Sequence, residues 1–408
     1  MTDLLLLGAG RGSAGTFTEA EAIYSLRAVD GFSGPVVRLR RHYNSDEQDF
    51  TAAELVGEEL TSELLANNDM QSSDWANSGG WTFSGGVASL VSTAGNSNFL
   101  TLNDNIWGGG YQYYKVTFTI DSCSDFDKVG LVMGTATYRR FLFFGIEAPG
   151  TYTVLFDNDE RPQNLIRLFA NQGDDGTTCS ISYFSVKAYS PSAAEVFAFP
   201  DEVRSSFTPW GEQEDSAYVR TWYDQSGNGN DAGQSTANAQ PKLITAGVAE
   251  LVNGKPAMVF DGVDDGLETA GDSGLRTAGH SMFTVSQSSD GQFIVTNSAA
   301  SSGPFGWIGA GNTSTPYSGY GTPTLHTNGA LSTPTNRLGV RAVYASGSQV
   351  LNSTLNADTS SWSGFNIVDY STSFSYEGTF QEIIVYDSDQ SANRIIIETN
   401  INDHYGIY

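Results

Sequence analysis

Cysteine and lysine are among the scarce residues of this 408-residue chain: two cysteines, Cys123 and Cys179, and five lysines. Two cysteines make neither a disulfide framework nor a cysteine-based zinc site. They flank one β-rich segment, and the sequence leaves two states open for them, a pair of reduced core thiols or a single disulfide. Charge is also sparse and one-sided. Charged residues make up 16%, and 46 Asp and Glu stand against 20 Lys and Arg for a formal net charge of −26. A phosphate backbone or an anionic membrane surface requires clustered Lys and Arg, so nucleic acid and anionic lipid are excluded as partners. The densest basic run is only Arg38, Arg40 and Arg41. Long apolar runs are missing too, since no stretch approaches the ~18 residues of a membrane span. The run Leu4 to Leu7 is too short for the apolar part of a secretion signal and has no basic flank, so neither a Sec-type signal nor membrane insertion is expected. The GAGRG that follows is no dinucleotide fingerprint, because no βαβ unit surrounds it.

Catalytic signatures are equally thin. There is no HExxH and no GxSxG, and His42, His280, His326 and His404 are scattered without partners at metal-ligand spacing. Each reads as a surface residue. What the chain does have is glycine, 45 residues, with much Ser, Thr and Asn. That composition belongs to turn-rich β-structure. Hydrophobic residues at 39% supply ample core, and the length suggests roughly two to three domains at about 150 residues each.

Along the chain, residues 17–30 carry helical marks: Thr18 as a cap, Glu21 three positions on, and Ile23, Leu26 and Val29 on one face. GPVVRLRR then alternates as a strand. From about 58 to 189 short alternating strands follow one another: WTFSGGVASLVS, with a Gly-Gly turn, then YQYYKVTFTID, KVGLVMGTA, YRRFLFFGI, GTYTVLFDN, NLIRLFAN and CSISYFSVKAY. After residue 190 a second series runs through YVRTWYD, PAMVFDG, SMFTVSQ, QFIVTN, LGVRAVYA, FNIVDY and FQEIIVYD. Ile395, Ile396 and Ile401 mark a short closing amphipathic helix. There is no fixed-period repeat.

Three passages resemble one family: AIYSLRAVDGFSGPVVRLRRHYNSDEQDF (22–50), VRTWYDQSGNGNDA (219–232) and EGTFQEIIVYDSDQSANRIIIETNINDHYGI (377–407). They are similar to the concanavalin A-like (LamG-like) β-sandwich of the catalytic domain of family-54 α-L-arabinofuranosidases, a sandwich also found in tailed-phage virion and tail-fibre-like proteins. The stretch 58–189 resembles the jelly-roll carbohydrate-binding modules. The resemblance implies an all-β chain of two β-sandwich (jelly-roll) domains with a few short helices. Residues 1–57 and 190–408 would form one sandwich and 58–189 a second inserted into it. Such an insertion is physically easy, because loop-closure entropy grows slowly with length.

In the resembled arabinofuranosidases the nucleophile is a Glu in an acidic stretch after a Trp-containing strand. The corresponding PFGWIGAGNTSTPYSG (304–319) holds no Asp or Glu. The acid/base precedes the terminal GTF strand, where Asp369 stands near but offset. The family's vicinal cysteine pair is missing as well. A double displacement needs two carboxyl groups, so no hydrolysis is expected; Asp369, Glu377 and Glu382 are the carboxylates from which an activity would otherwise be built, the latter two reading as strand-edge surface charges.

Sugar recognition uses flat aromatic faces with amides and carboxylates beside them. Trp222, Tyr223, Asp224 and Trp307 fit this in the split sandwich, and Trp81, Trp107, Tyr111 and Tyr113 in the insert. For Trp81 and Trp222, flanked by alternating strand residues, core packing is the competing expectation. No cofactor is expected. Calcium stays open at Asp224, Ser226, Asn228 and Asn230, which echo half of an EF-hand loop without its bidentate Glu; a tight Asn-Gly turn is the alternative. Asp261, Asp264 and Asp265 form a second acidic group, either a cation site or a solvated turn.

The expectation is a non-enzymatic bacteriophage virion protein of tail-fibre, head-fibre or decoration type. It would bind host-surface glycans and other virion proteins as an oligomer, with a trimer in view. A glycoside hydrolase and a purely structural capsid or tail component are the alternatives.

Overall fold

A computed structural model gives the fold. It describes residues 17–408 apart from 18, 43–44, 61–62, 66–69, 71–74, 79, 93–96, 103–112, 126–128, 135–138, 144–147, 158–165, 173–175, 199–215, 270–271, 289–294, 297–320, 337, 340–341, 343–346, 363 and 369–375. The described chain is all-β, built of antiparallel sheets with a few short helices such as Ala52–Val56, Ala193–Ala198 and Arg394–Tyr405. Two compact units emerge, Met1–Leu55 with Asp215–Tyr408, and Val56–Glu214. The first is therefore split in sequence by the second. The helix Ala52–Val56 reaches the start of the insert and Ala193–Ala198 follows its last described strand, and each opens with a capping box. Thr51 and Glu54 bond reciprocally, the Thr51 amide donating to Glu54 Oε2 at 2.7 Å. Ser192 and Glu195 do the same at 2.7 Å. Each box satisfies amides that a helix start would otherwise leave unpaired.

The inserted unit is a sandwich of two sheets. One has six strands in the order Gly150–Asp157, Tyr113–Cys123, Thr178–Ser190, Val87–Val91, Trp81–Ser84, with Glu58–Glu59 also paired to Thr178–Ser190. The other has five, in the order Arg139–Phe143, Val129–Gly134, Ile166–Gln172, Ser97–Leu102, Trp75–Ser78. Alternation explains the layering, because successive side chains of a strand point to opposite faces. Tyr114, Val116, Phe118 and Ile120 turn inward and are buried, while Lys115, Thr117 and Thr119 turn outward. The inward row meets Trp75, Leu100 and Leu102 of the opposite sheet in one core. Trp75 stands edge-on to Phe184 across it, ring centroids 4.9 Å apart. Each such side chain contributes about 1.5–3 kcal/mol when fully buried. The hairpin from Trp81 to Val91 turns at Gly85 and Gly86, whose φ of 60° and 81° is what a two-residue turn between twisted strands requires.

The split unit is organised around one antiparallel sheet of 16 strands. At its centre lies Glu377–Tyr386, buried from Phe380 onward, between Met258–Asp261 and Ala278–Ser288. The helix Arg394–Tyr405 covers one face. Its Ile397, Ile401 and Tyr405 pack on Phe283, Val285, Leu351, Leu355 and Ile384. Ile401 is buried as the sequence suggests, but Ile395 and Ile396 point away, 67% and 65% exposed, and Ile397 takes their place in the apolar stripe.

Other expectations are corrected as well. Residues 17–30 do not form a helix: Ala22–Ser25 is a strand paired with Glu382–Val385, and partners across the sheet override the local helical pattern. In LGVRAVYA, read as a strand, the described residues 338, 339 and 342 have helical backbone. Of the short basic run, Arg40 and Arg41 are buried. Arg40 donates to Gln240 at 2.6 Å and to the Ala237 carbonyl at 3.1 Å, and its guanidinium sits over Tyr218. His280 is fully buried against the ring of Phe365, and burial pushes its pKa down to about 4.

Candidate functional site

The three sequence passages that resemble one family meet in the split unit. Asp224, from WYDQSGNGND, is buried. Its Oδ1 accepts the amides of Ile23 and Ser226 at 2.9 Å each, and its Oδ2 accepts the Asn230 amide at 3.0 Å and the Ser226 hydroxyl at 2.8 Å. Gly227 and Gly229 hold φ of 88° and 78°, which lets the chain fold back over the carboxylate. Asn228 and Asn230 donate to the Glu21 carbonyl at 3.0 and 2.8 Å. Gln225 donates to the carbonyls of Ser25 and Arg27 and accepts the Val29 amide. The passage thus works as a clasp on residues 20–29. The four residues with calcium spacing all take part in it, and the Asp224 oxygens face N–H and O–H donors.

Beside the clasp lies a second buried polar group, centred on Glu382. Glu382 is not a strand-edge surface charge but has 0% exposure. Arg27 grips it with two bonds of 2.7 and 2.9 Å, Ser25 donates to it at 2.7 Å, and Tyr405 at 3.2 Å. Burial opposes charge on Arg27, but the Glu382 carboxylate outweighs it and holds the guanidinium above its ordinary range. Burial first, then Glu382, pushes the Tyr405 hydroxyl up as well. The four residues come from both ends of the chain, so no local spacing announces them. Glu377 is exposed; Asp369 and the stretch 304–319 with Trp307 lie outside the described residues.

Of the aromatic residues proposed for sugar contact, Trp222 and Trp81 are corrected to core. Trp222 has 0% exposure and packs against Tyr24 with centroids 5.7 Å apart; Trp81 has 4% and belongs to the core between the two sheets of the insert. Both sit on the inward side of an alternating strand, so neither presents a stacking face. Trp107 and Tyr111 lie outside the described residues, and Tyr113 is placed only as a residue of the strand Tyr113–Cys123.

Tyr223 is different. It is half-buried, one position past Trp222 and so on the other side of the strand. Its hydroxyl donates to Asp49 Oδ1 at 2.7 Å, and Asp49 is held bidentately by Arg38 at 2.7 and 2.9 Å. Arg38 and Asp49 face each other on neighbouring strands, with side chains 40% and 39% exposed. The Arg38 hydrogen bond keeps Asp49 below the ordinary carboxylate range. Burial, helped by Asp49, pushes Tyr223 up to about 12, so it stays a hydroxyl at neutral pH. The group offers a ring, a phenol, a carboxylate and a guanidinium within one exposed strip. Arg220 and Glu47, 3.5 Å apart, extend it.

The outer face of the six-stranded sheet of the insert is tiled with hydroxyls. Thr119 meets Thr151 at 2.8 Å, Thr117 meets Thr153 at 3.2 Å, and Ser122 meets Ser180 at 3.0 Å. Tyr183 lies opposite Thr119 in the register on that face.

Asp261, Asp264 and Asp265 place carboxylate oxygens within 4.8 Å of one another. Asp265 Oδ2 accepts the Asp261 amide at 2.9 Å and Asp261 Oδ1 accepts the Val263 amide at 2.7 Å, the bonding of a tight turn. Burial pushes Asp265 up to about 7.

No family model matches the sequence, and no curated protein matches it. Solved structures similar to part of the chain include family 29 carbohydrate-binding modules. One mutant module is 15% identical over 34% of this chain and 96% of that one, with a TM-score of 0.23. Another, complexed with cellulohexaose, is 14% identical over 36% of this chain and 99% of that one, with a TM-score of 0.24. At such TM-scores the likeness carries no argument; the sandwich of the insert rests on its own two sheets and the core between them.

Proposed function

We propose that this chain is a non-catalytic glycan-binding protein of a tailed-phage particle, and that Tyr223, Asp49 and Arg38 form a sugar-contacting strip. The observation that carries the reading is the geometry of that strip. A half-exposed ring stands beside a carboxylate and a guanidinium that are already aligned, so little order is lost when hydroxyls replace water. The virion assignment draws on the three family-like passages, and a particle supplies the avidity that shallow sites need, an oligomer of this chain such as a trimer being one multivalent form. The non-catalytic assignment draws on the missing carboxylate in 304–319 and on Glu382 being buried in its ion pair.

A glycan array of bacterial surface polysaccharides, read with the wild type and with Tyr223→Ala, tests the reading. Binding to a defined glycan that weakens at least tenfold in the variant supports it. Absence of any binding with normal incorporation into particles replaces it with a purely structural capsid or tail role. One observation favours a second reading, a glycoside hydrolase: Asp265 is raised toward neutrality beside Asp261, the division of labour an acid and a carboxylate need. Turnover of an aryl arabinofuranoside that disappears in Asp265→Asn would install that reading instead.

A further inference from the structure

The two cysteines are far apart in sequence and directly opposite in the fold. Cys123 ends the strand Tyr113–Cys123, and Cys179 faces it on Thr178–Ser190. One register position on, the Ser124 amide donates to the Thr178 carbonyl at 2.9 Å. Hydrogen-bonded and non-hydrogen-bonded pairs alternate along an antiparallel ladder. Cys123 and Cys179 are therefore a non-hydrogen-bonded pair, the kind with Cα atoms about 4.5 Å apart and side chains closest together. A disulfide spans Cα separations of about 4.4–6.8 Å. Both residues are free thiols here, Cys123 half-buried and Cys179 buried. Cys123 Sγ also lies 3.4 Å from the Asp125 carbonyl oxygen.

We propose that Cys123 and Cys179 are a redox pair that closes into a cross-strand disulfide in the presence of a disulfide oxidant such as oxidised glutathione. The thiolate of Cys123, the more accessible sulfur, attacks one sulfur of the oxidant and expels a glutathione thiolate, leaving a mixed disulfide on Cys123. Cys179 then gives up its proton and attacks Cys123 Sγ, expelling the second glutathione thiolate. The two cysteine protons end on the two glutathione thiols. The protein loses two electrons and two protons, and the oxidant gains them. The hydrogen bond from Cys179 holds Cys123 down to about 7 against the effect of burial, whereas the same partner and burial push Cys179 up. Cys123 is therefore the attacking sulfur and Cys179 the resolving one.

The bond would tie the end of one central strand to the start of another and close a loop that contains strands of both sheets. Such a cross-link constrains the unfolded chain. This inference does not depend on the glycan reading.

The test uses the full chain, reduced and then exposed to oxidised glutathione at neutral pH. Both thiols should become unreactive, the intact mass should fall by two hydrogens, and digestion should give a peptide pair joining Cys123 to Cys179. The melting transition of the inserted unit should rise by on the order of 10 °C and return on adding dithiothreitol. Cys123→Ser and Cys179→Ser, which each keep one thiol, should fold like the reduced wild type and show no oxidant-dependent rise. A glutathione adduct that persists on Cys123, an intermolecular dimer, or an equal rise in either variant overturns the proposal.

Discussion

The two units solve the same problem with different materials. The inserted unit is continuous in sequence, and its two sheets close on an apolar core of Trp75, Trp81, Phe118 and Phe184. Among its described residues only Ser92, Thr177 and Ser185 are buried polar side chains, and hydroxyl rows cover the outer face of its six-stranded sheet. The split unit must gather residues from both ends of the chain, and it puts polar side chains inside to do so. Asp224, Gln225 and Asn230 clasp residues 20–29, while Glu382 binds Arg27, Ser25 and Tyr405. Apolar burial is non-directional and rewards any close packing, whereas a buried carboxylate stabilises only the one arrangement that satisfies it. The split unit therefore gains specificity of chain placement at the risk of large losses when one partner is removed.

The largest effect should come from Glu382→Gln. It leaves the Arg27 guanidinium buried without its counter-charge, which costs about 3–5 kcal/mol. Urea unfolding followed by fluorescence should show the loss in the split unit alone; an equal loss in both units would break the comparison. Phe184→Ala should cost about 3 kcal/mol through the cavity it leaves, this time in the inserted unit alone. Asp224→Ala removes the acceptor of four hydrogen bonds and should cost about 2–3 kcal/mol. Limited proteolysis within residues 20–29 should accelerate with it, and protection equal to the wild type would show that the clasp does not hold that segment.

Acid should also separate the units. His280 and His404 are pushed down to about 4 by burial, from an ordinary value of 6.5. Their contribution to stability is complete above the ordinary value and is lost progressively as pH falls toward about 4. Asp265, raised to about 7, acts in the opposite sense, contributing fully below its ordinary value of 3.8 and losing that contribution as pH rises toward 7. The two trends offset each other in the wild type. Asp265→Asn should make the split unit lose stability more steeply between about pH 6.5 and 4, measured by melting temperature across that range; an unchanged slope would remove Asp265 from the account. The smallest effect belongs to Thr119→Val on the exposed hydroxyl face, at most about 0.5 kcal/mol.

Much of the strand content was legible. YQYYKVTFTID alternates because one face of its strand is buried and the other wet, and the alternation survives unchanged in Tyr113–Cys123. The Gly-Gly hairpin was equally readable from its own residues. Two helix starts were legible as well: TAAE at Thr51 and SAAE at Ser192 are both capping boxes. The helical marks in 17–30 misled because Ile23, Leu26 and Val29 are all buried, but by strand neighbours and the clasp rather than on one helix face.

The candidate site was readable only in part. Tyr223 could be picked out beside the glycine turn, yet Asp49 and Arg38, which make it a site, stand more than 170 positions away. Trp222 looked equally suitable and is core, because the side of the strand that faces inward is set by which strands lie over it. Glu382 gave no sign of its ion pair for the same reason. By itself the sequence determined what depends on neighbours along the chain: alternation, turns, helix caps, the acidic surplus and the carboxylate missing from 304–319. The tertiary structure alone decided which carboxylates are buried and bound, which aromatic faces meet water, and that Cys123 stands opposite Cys179. Those properties arise from contacts between distant residues, and no local pattern encodes them.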